Sequence, residues 1–127
     1  MSTVRFLCDE AVAVFLAGAV HQQEPAVEIS CVGQDGMPRK GTLDPELLIF
    51  AEAMRWCLLT VDRQTMASHV ADHQAAGNHT WGVFSLRDGF PVIRHVDNLI
   101  LIWSASQAEE WIDHMDWLPW EMRSERP

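Results

Sequence analysis

Four short apolar runs, each followed by a segment of helical period, constrain the fold of this chain more than any other feature. The runs are residues 4–8, 27–32, 56–61 and 81–86, each of strand length and rich in Val, Ile, Leu, Phe or Trp. Between them, residues 11–21 place Val12, Phe15, Leu16, Ala19 and Val20 at helical spacing. Residues 44–55 do the same with Leu47, Leu48, Phe50, Ala51 and Met54. Residues 63–75 carry a weaker pattern, Met66 and Val70, stopped near Gly77. Val92, Ile93, Val96, Leu99, Ile100 and Trp103 mark a further helix. A last helix is expected over residues 107–115, with Ser106 and Glu109 as its capping box. The order is therefore β-α-β-α-β-α-β-α-α. Such alternation predicts an α/β fold, a mostly parallel sheet with helices on both faces. Right-handed crossovers then bring the carboxyl ends of the strands to one edge.

That edge is where the acids fall. Asp9 and Glu10 follow the first run, Asp62 closes the third, and Asp44-Pro45-Glu46 opens a helix. In open parallel sheets, ligands bind in the crevice outside the carboxyl ends of the strands. Carboxylates far apart in sequence are thus expected to converge. They would offer the oxygen ligands that Mg²⁺ or Mn²⁺ prefers, in a site suited to phosphoryl chemistry. Each acid also has a plainer duty. Asp44 or Thr42 can cap a helix that has Pro45 at its first position. Asp62 can be a strand-end turn residue. Asp9 and Glu10 can sit at the positive end of the next helix.

At 127 residues and 48 % hydrophobic content, the chain has the size of a single domain and enough apolar matter for a core. The core is expected over residues 4–118, with a polar C-terminal tail and an open loop at residues 33–42. No apolar run reaches the roughly 18 residues of a membrane span. The first residues lack the basic segment and cleavage site of a signal peptide, so a cytoplasmic location is expected. Cys8, Cys31 and Cys57 lie in strand-like runs with no C-x-x-C spacing and read as free buried thiols. The net charge of −9, with Lys40 the sole lysine, opposes simple electrostatic attraction to nucleic acid. A substrate phosphate would depend on bound cations or on a partner's basic surface.

Other motifs carry two readings each. His69 and His73 stand four apart beside Asp72, a spacing that suits zinc, although surface histidines on a helix are commoner. His79 is expected at the sheet edge, able to contact a phosphate. Trp103, Trp111, Trp117 and Trp120 crowd the C-terminal region, as base-stacking platforms or, preferably, as core or dimer contacts. Residues 99–103 are apolar all round and are expected to be buried, in the core or against a second subunit of a homodimer. Ser104 and Ser106 lack a Gly-x-Ser-x-Gly elbow, and the loop at residues 33–41 lacks the Gly-Lys-Ser/Thr ending of a phosphate loop.

Several segments, in order, resemble one family. Arg5-Phe6-Leu7-Cys8-Asp9-Glu10 resembles the R-F-L-x-D-E opening of small bacterial PIN-like proteins, which are related to the toxins of toxin–antitoxin pairs. The stretch from Leu43-Asp44-Pro45-Glu46 to Ala51 is similar to that family's S-D-P-E helix start. Leu58-Leu59-Thr60-Val61-Asp62-Arg63 is similar to its V-L-V-T-x-D-x-D-F. His79, Gly82-Val83 and Leu86-Arg87 resemble its H-x-G-I-x-L-L-R strand, and residues 103–118 resemble the closing helices of one branch.

The resemblance implies a PIN-like three-layer α/β/α sandwich and a nuclease of the hydrolase class. Active members are Mg²⁺- or Mn²⁺-dependent endoribonucleases in which water attacks the RNA phosphodiester. Carried over by motif, Asp9, Asp44 and Asp62 would be catalytic metal ligands. Glu10 would support them, and Glu46 would act through water. RNA would be the substrate and an antitoxin protein the partner. The chain departs from the family at Gln64, where the second aspartate of D-x-D-F is expected, and at Thr65, where its Phe is expected. Gln64 offers an oxygen without charge. The alternative is a catalytically degenerate PIN-like protein that acts as a partner-binding module.

Overall fold

The computed structural model describes residues 2–120, the side chain of Arg63 apart. In chain order the elements are β1 (Phe6–Cys8), α1 (Phe15–Gln23), β2 (Ile29–Cys31), α2 (Asp44–Met54) and β3 (Cys57–Thr60). Next come α3 (Arg63–Ala75), β4 (Val83–Leu86), α4 (Val92–Ala105), a 3₁₀ turn (Ala108–Trp111) and β5 (Met115–Leu118). The strands form one sheet in the order β2-β1-β3-β4-β5. Every neighbouring pair is parallel.

The two-residue period of a strand sorts its side chains to opposite faces, and both faces here are apolar. Phe6, Cys8, Ile29, Cys31, Cys57, Leu59, Phe84 and Leu86 point to one side, where Leu16 and Val20 of α1 and Val96, Leu99 and Ile102 of α4 cover them. Leu7, Leu58 and Val83 point to the other, under Leu47, Leu48 and Ala51 of α2 and Met66 and Val70 of α3. The result is the three-layer α/β/α arrangement. The weak pattern of α3 suffices because Met66, Val70 and His73 form one narrow buried stripe. Cys8, Cys31 and Cys57 are free and buried, as expected.

Several expectations change. Helix α1 begins at Phe15 rather than at residue 11, because Asp9 holds the preceding residues in a turn. Its Oδ1 accepts from the Ala11 N–H at 3.0 Å and its carbonyl from the Val12 N–H at 3.1 Å. The expected last helix over residues 107–115 is a single 3₁₀ turn followed by strand β5. Its capping box is Gln107 with Glu110, not Ser106 with Glu109. Left-handed Asp113, at φ 62°, ends the helical path and turns the chain into the sheet edge. Residues 99–103 are not buried all round: Leu99 and Ile102 face the core, whereas Leu101 is 51 % exposed.

Gly82 joins the approach to β4 to the 3₁₀ turn. Its φ is +103°, and a Cβ there would stand 3.0 Å from Trp111 Cβ and 3.3 Å from both Cys57 Sγ and the Trp111 carbonyl. Gly82→Ala is therefore expected to cost about 1–3 kcal/mol, from a sparsely allowed backbone and from overpacking together. Urea unfolding measures it. An unchanged midpoint would contradict the packing described for this edge.

Candidate metal centre at the carboxyl edge of the sheet

The strand order reverses direction between β1 and β3. From β1 the chain steps outward to β2, then crosses back to β3 and continues outward through β4 and β5. At such a switch point the loops leaving the two central strands part and leave a crevice. Asp9 leaves β1 here, and Thr60 and Asp62 end β3. Helix α2 enters from the β2 side with Asp44 in its first turn. Asp9, Glu10, Asp44 and Asp62 line one cavity of about 230 Å³, together with Thr42 and Thr60. All four carboxylates expected from the sequence thus share one crevice.

Each has a distinct local anchor. Asp9 is buried, and that burial pushes its carboxyl above the ordinary range. The Thr60 hydroxyl and the Ala11 N–H oppose the rise, and the negative charge of Asp44 adds to it. Glu10 reaches across to the β2–α2 loop, where its Oε1 accepts from the Gly41 N–H at 2.7 Å. Asp44 does not cap its helix. Leu43 is the N-cap, without a side-chain bond, and Thr42 donates instead to the Arg39 carbonyl. The Asp44 carboxylate is left facing the crevice, with His69 Nε2 3.9 Å from its Oδ2. Asp62 does cap α3: its Oδ1 accepts from the Thr65 N–H at 3.1 Å. Glu46 is exposed and does not line the cavity.

The donor set is all oxygen, which fits a hard cation. Among the described residues, no three His, Cys, Asp or Glu side chains stand close enough to share a metal ion. Glu10 and Asp62 each commit one oxygen to a backbone N–H and keep the other, whereas Asp9 accepts from both the Ala11 N–H and the Thr60 hydroxyl. Mg²⁺ retains several waters and is commonly bound through one or two carboxylates, so a pre-closed cage is not required.

Thr60 is the crevice residue that the sequence reading passed over, and His69, read there only as a zinc candidate, stands beside Asp44 instead. Thr60 is fully buried, and its hydroxyl accepts from the Asp62 N–H at 3.2 Å while donating to Asp9. It ties the ends of β1 and β3 together. The available signal was a polar side chain inside an apolar strand, two residues before an acid.

The histidines separate. His69 faces Asp44, but buried His73 turns Nε2 to Glu52 Oε1 and to the His79 carbonyl, both at 3.0 Å. They form no zinc pair. His79 precedes β4 and lies at the amino edge of the sheet, opposite the carboxylates, so it touches no phosphate held there. Trp103, Trp111 and Trp120 pack against the core rather than stack outward: Trp111 meets Phe84 edge-on at 5.1 Å and stacks on Trp120 at 6.0 Å.

Fold and crevice define a three-layer α/β/α protein with a carboxylate-lined cleft at its topological switch point. No family model, curated protein or solved structure matches the chain. Among the described residues, no helix is long and apolar enough to cross a membrane.

Proposed function

We propose that this chain is a PIN-like endoribonuclease that depends on Mg²⁺ or Mn²⁺, and that it is the toxin of a toxin–antitoxin pair in the cytoplasm. The observation that carries the reading is the convergence of Asp9, Glu10, Asp44 and Asp62 on one crevice at the switch point. A bound divalent cation would supply an activated water and charge neutralisation at the scissile phosphate. Asp9, Asp44 and Asp62 are the residues that would hold that cation, one or two of them directly and the rest through its retained waters. Thr60 orients Asp9, and Glu10 steadies the neighbouring loop through Gly41. That loop carries Arg39 and Lys40, both exposed, which offset the acidic surface for an approaching RNA backbone. Phe15, Phe90 and Val61 line a second, open groove of about 210 Å³ at the same edge. Exposed aromatic faces of this kind suit the bases of a single strand.

Incubating the chain with single-stranded RNA, with Mn²⁺ or with chelator, tests the reading. Cleavage that requires the metal and disappears in Asp62→Asn supports it. RNA left intact at millimolar Mn²⁺ favours the second reading, a degenerate module that binds a partner. Gln64 is the observation behind that alternative: it stands exposed in the first turn of α3, where a second aspartate is expected. Restoring the charge with Gln64→Asp is expected to tighten Mn²⁺ binding about tenfold, the scale on which residues around a metal tune affinity. An unchanged Mn²⁺ affinity would place residue 64 outside the reach of the site.

A further inference from the structure

At the amino edge of the sheet, opposite the carboxylates, lies a larger cavity of about 770 Å³. It is lined by the C-terminal end of α2 and by the segments that lead into β4 and β5. Its polar groups form a fixed network. His79 Nδ1 meets Asp113 Oδ2 at 2.6 Å, and Asp113 Oδ1 accepts from the Thr80 N–H at 2.9 Å and from Gln74 Nε2 at 3.2 Å. Glu52 takes the His79 N–H on Oε2 at 3.1 Å and His73 Nε2 on Oε1 at 3.0 Å. Both carboxylates are thus committed within the protein.

Two cationic groups, His79 and Arg55, line the cavity beside the Glu52 and Asp113 carboxylates, which are 31 % and 33 % exposed but already bonded within the protein. The His79 side chain is 65 % exposed, and its Nε2 points away from the Asp113 bond. Arg55 lies over the Trp81 ring at 5.3 Å and has no carboxylate within ion-pair distance among the described residues. The hydrogen bond that His79 donates to Asp113, and the charge of that carboxylate, hold His79 above the ordinary imidazole range, which favours the protonated form. Burial works against the charge of Asp113, but the bonds from His79, Thr80 and Gln74 keep its carboxyl below its usual value.

Two further observations mark the cavity. Arg55 (φ 63°) and Asp113 (φ 62°) are the two non-glycine residues with positive φ among those described, and both line it. Residues held in sparsely allowed conformations cluster at ligand clamps. Ile49 and Ile112, 59 % and 38 % exposed, give it apolar walls without a partner. A concave, mostly apolar site with a few convergent polar groups is the general form of a small-molecule pocket.

We propose that this cavity binds a small organic anion, with its carboxylate or phosphate between His79 Nε2 and the Arg55 guanidinium and a flat apolar body against Ile49 and Ile112. Two cationic donors of different geometry favour an oxyanion over a neutral ligand. The site is independent of the metal centre, which lies across the sheet.

The test is titration of the full chain with benzoate, phenyl phosphate and neutral benzamide, followed by the His79 Cε1–H resonance and tryptophan fluorescence. The expected result is saturable binding of at least one anion, with a shift at His79 and benzamide weaker by about tenfold or more, the scale of one charge-assisted hydrogen bond. Arg55→Gln and His79→Gln should each weaken the anion by a similar factor while the far-ultraviolet spectrum stays native. Preference for benzoate or for phenyl phosphate assigns the carboxylate or the phosphate form. Absence of saturation by either anion, benzamide binding equally well, or indifference to both substitutions would overturn the proposal.

Discussion

Asp9→Asn is expected to leave the metal-free chain at least as stable as the native one and to reduce Mn²⁺-dependent RNA cleavage about a hundredfold or more. Asp9 is buried and feels the charge of Asp44, so its carboxylate is costly to hold without a cation. Asparagine keeps an oxygen for the Ala11 N–H and the Thr60 hydroxyl while removing the charge. The stability part follows from relief of that burden, and the activity part from loss of a ligand, where even supporting residues around a metal change affinity or activity about 10–100-fold. Thermal unfolding with and without Mn²⁺ separates the two. The native chain should gain in Tm from Mn²⁺ and the variant should not. A variant that is less stable without metal would show that Asp9 serves the fold rather than a site.

Phe84→Ala is expected to cost about 3–5 kcal/mol, much of the stability of an ordinary domain. Phe84 is fully buried on β4, which lies between β3 and β5. Trp111 packs edge-on against it at 5.1 Å and Trp120 at 6.5 Å. Those two rings stack on each other at 6.0 Å, and they cannot collapse into the space without giving up that contact. Aromatic pairs of this geometry add to the plain burial of area. Urea unfolding measures the loss, and a value below about 1.5 kcal/mol would mean that the site closes up in a way the aromatic cluster does not suggest.

The layered fold was legible because strands and helices have different periods. Phe6, Cys8 and Leu7 declare two buried faces, and the apolar rows of α1, α2 and α4 declare the layers that cover them. From alternation alone it follows that the strand ends share an edge, which brings Asp9, Asp44 and Asp62 together. Strand β5 was hidden because Met115-Asp116-Trp117-Leu118 is short and only Leu118 is buried, so its pairing with β4 is a tertiary event. The conformation of Asp113 that redirects the chain into it has no apolar signature either.

The crevice was legible in its acids and not in their supports. A carboxylate after a strand is visible in a sequence, but whether it caps, pins a loop or faces a crevice depends on neighbours brought by the fold. Asp44 and Asp62 show the difference: both stand at helix starts, yet one is free of capping and the other is not. His79 was misplaced for a related reason. It lies close to β4 in sequence, but at the end where the strand begins.

Calorimetric titration with Mn²⁺, on the native chain and on the Asp9→Asn, Asp62→Asn double variant, decides whether the crevice is a metal centre. The native chain should bind Mn²⁺ and the double variant should not, with both folded. Absence of binding to the native chain at millimolar Mn²⁺, or equal binding by the double variant, would contradict the metallonuclease reading and leave the crevice carboxylates as caps and loop anchors.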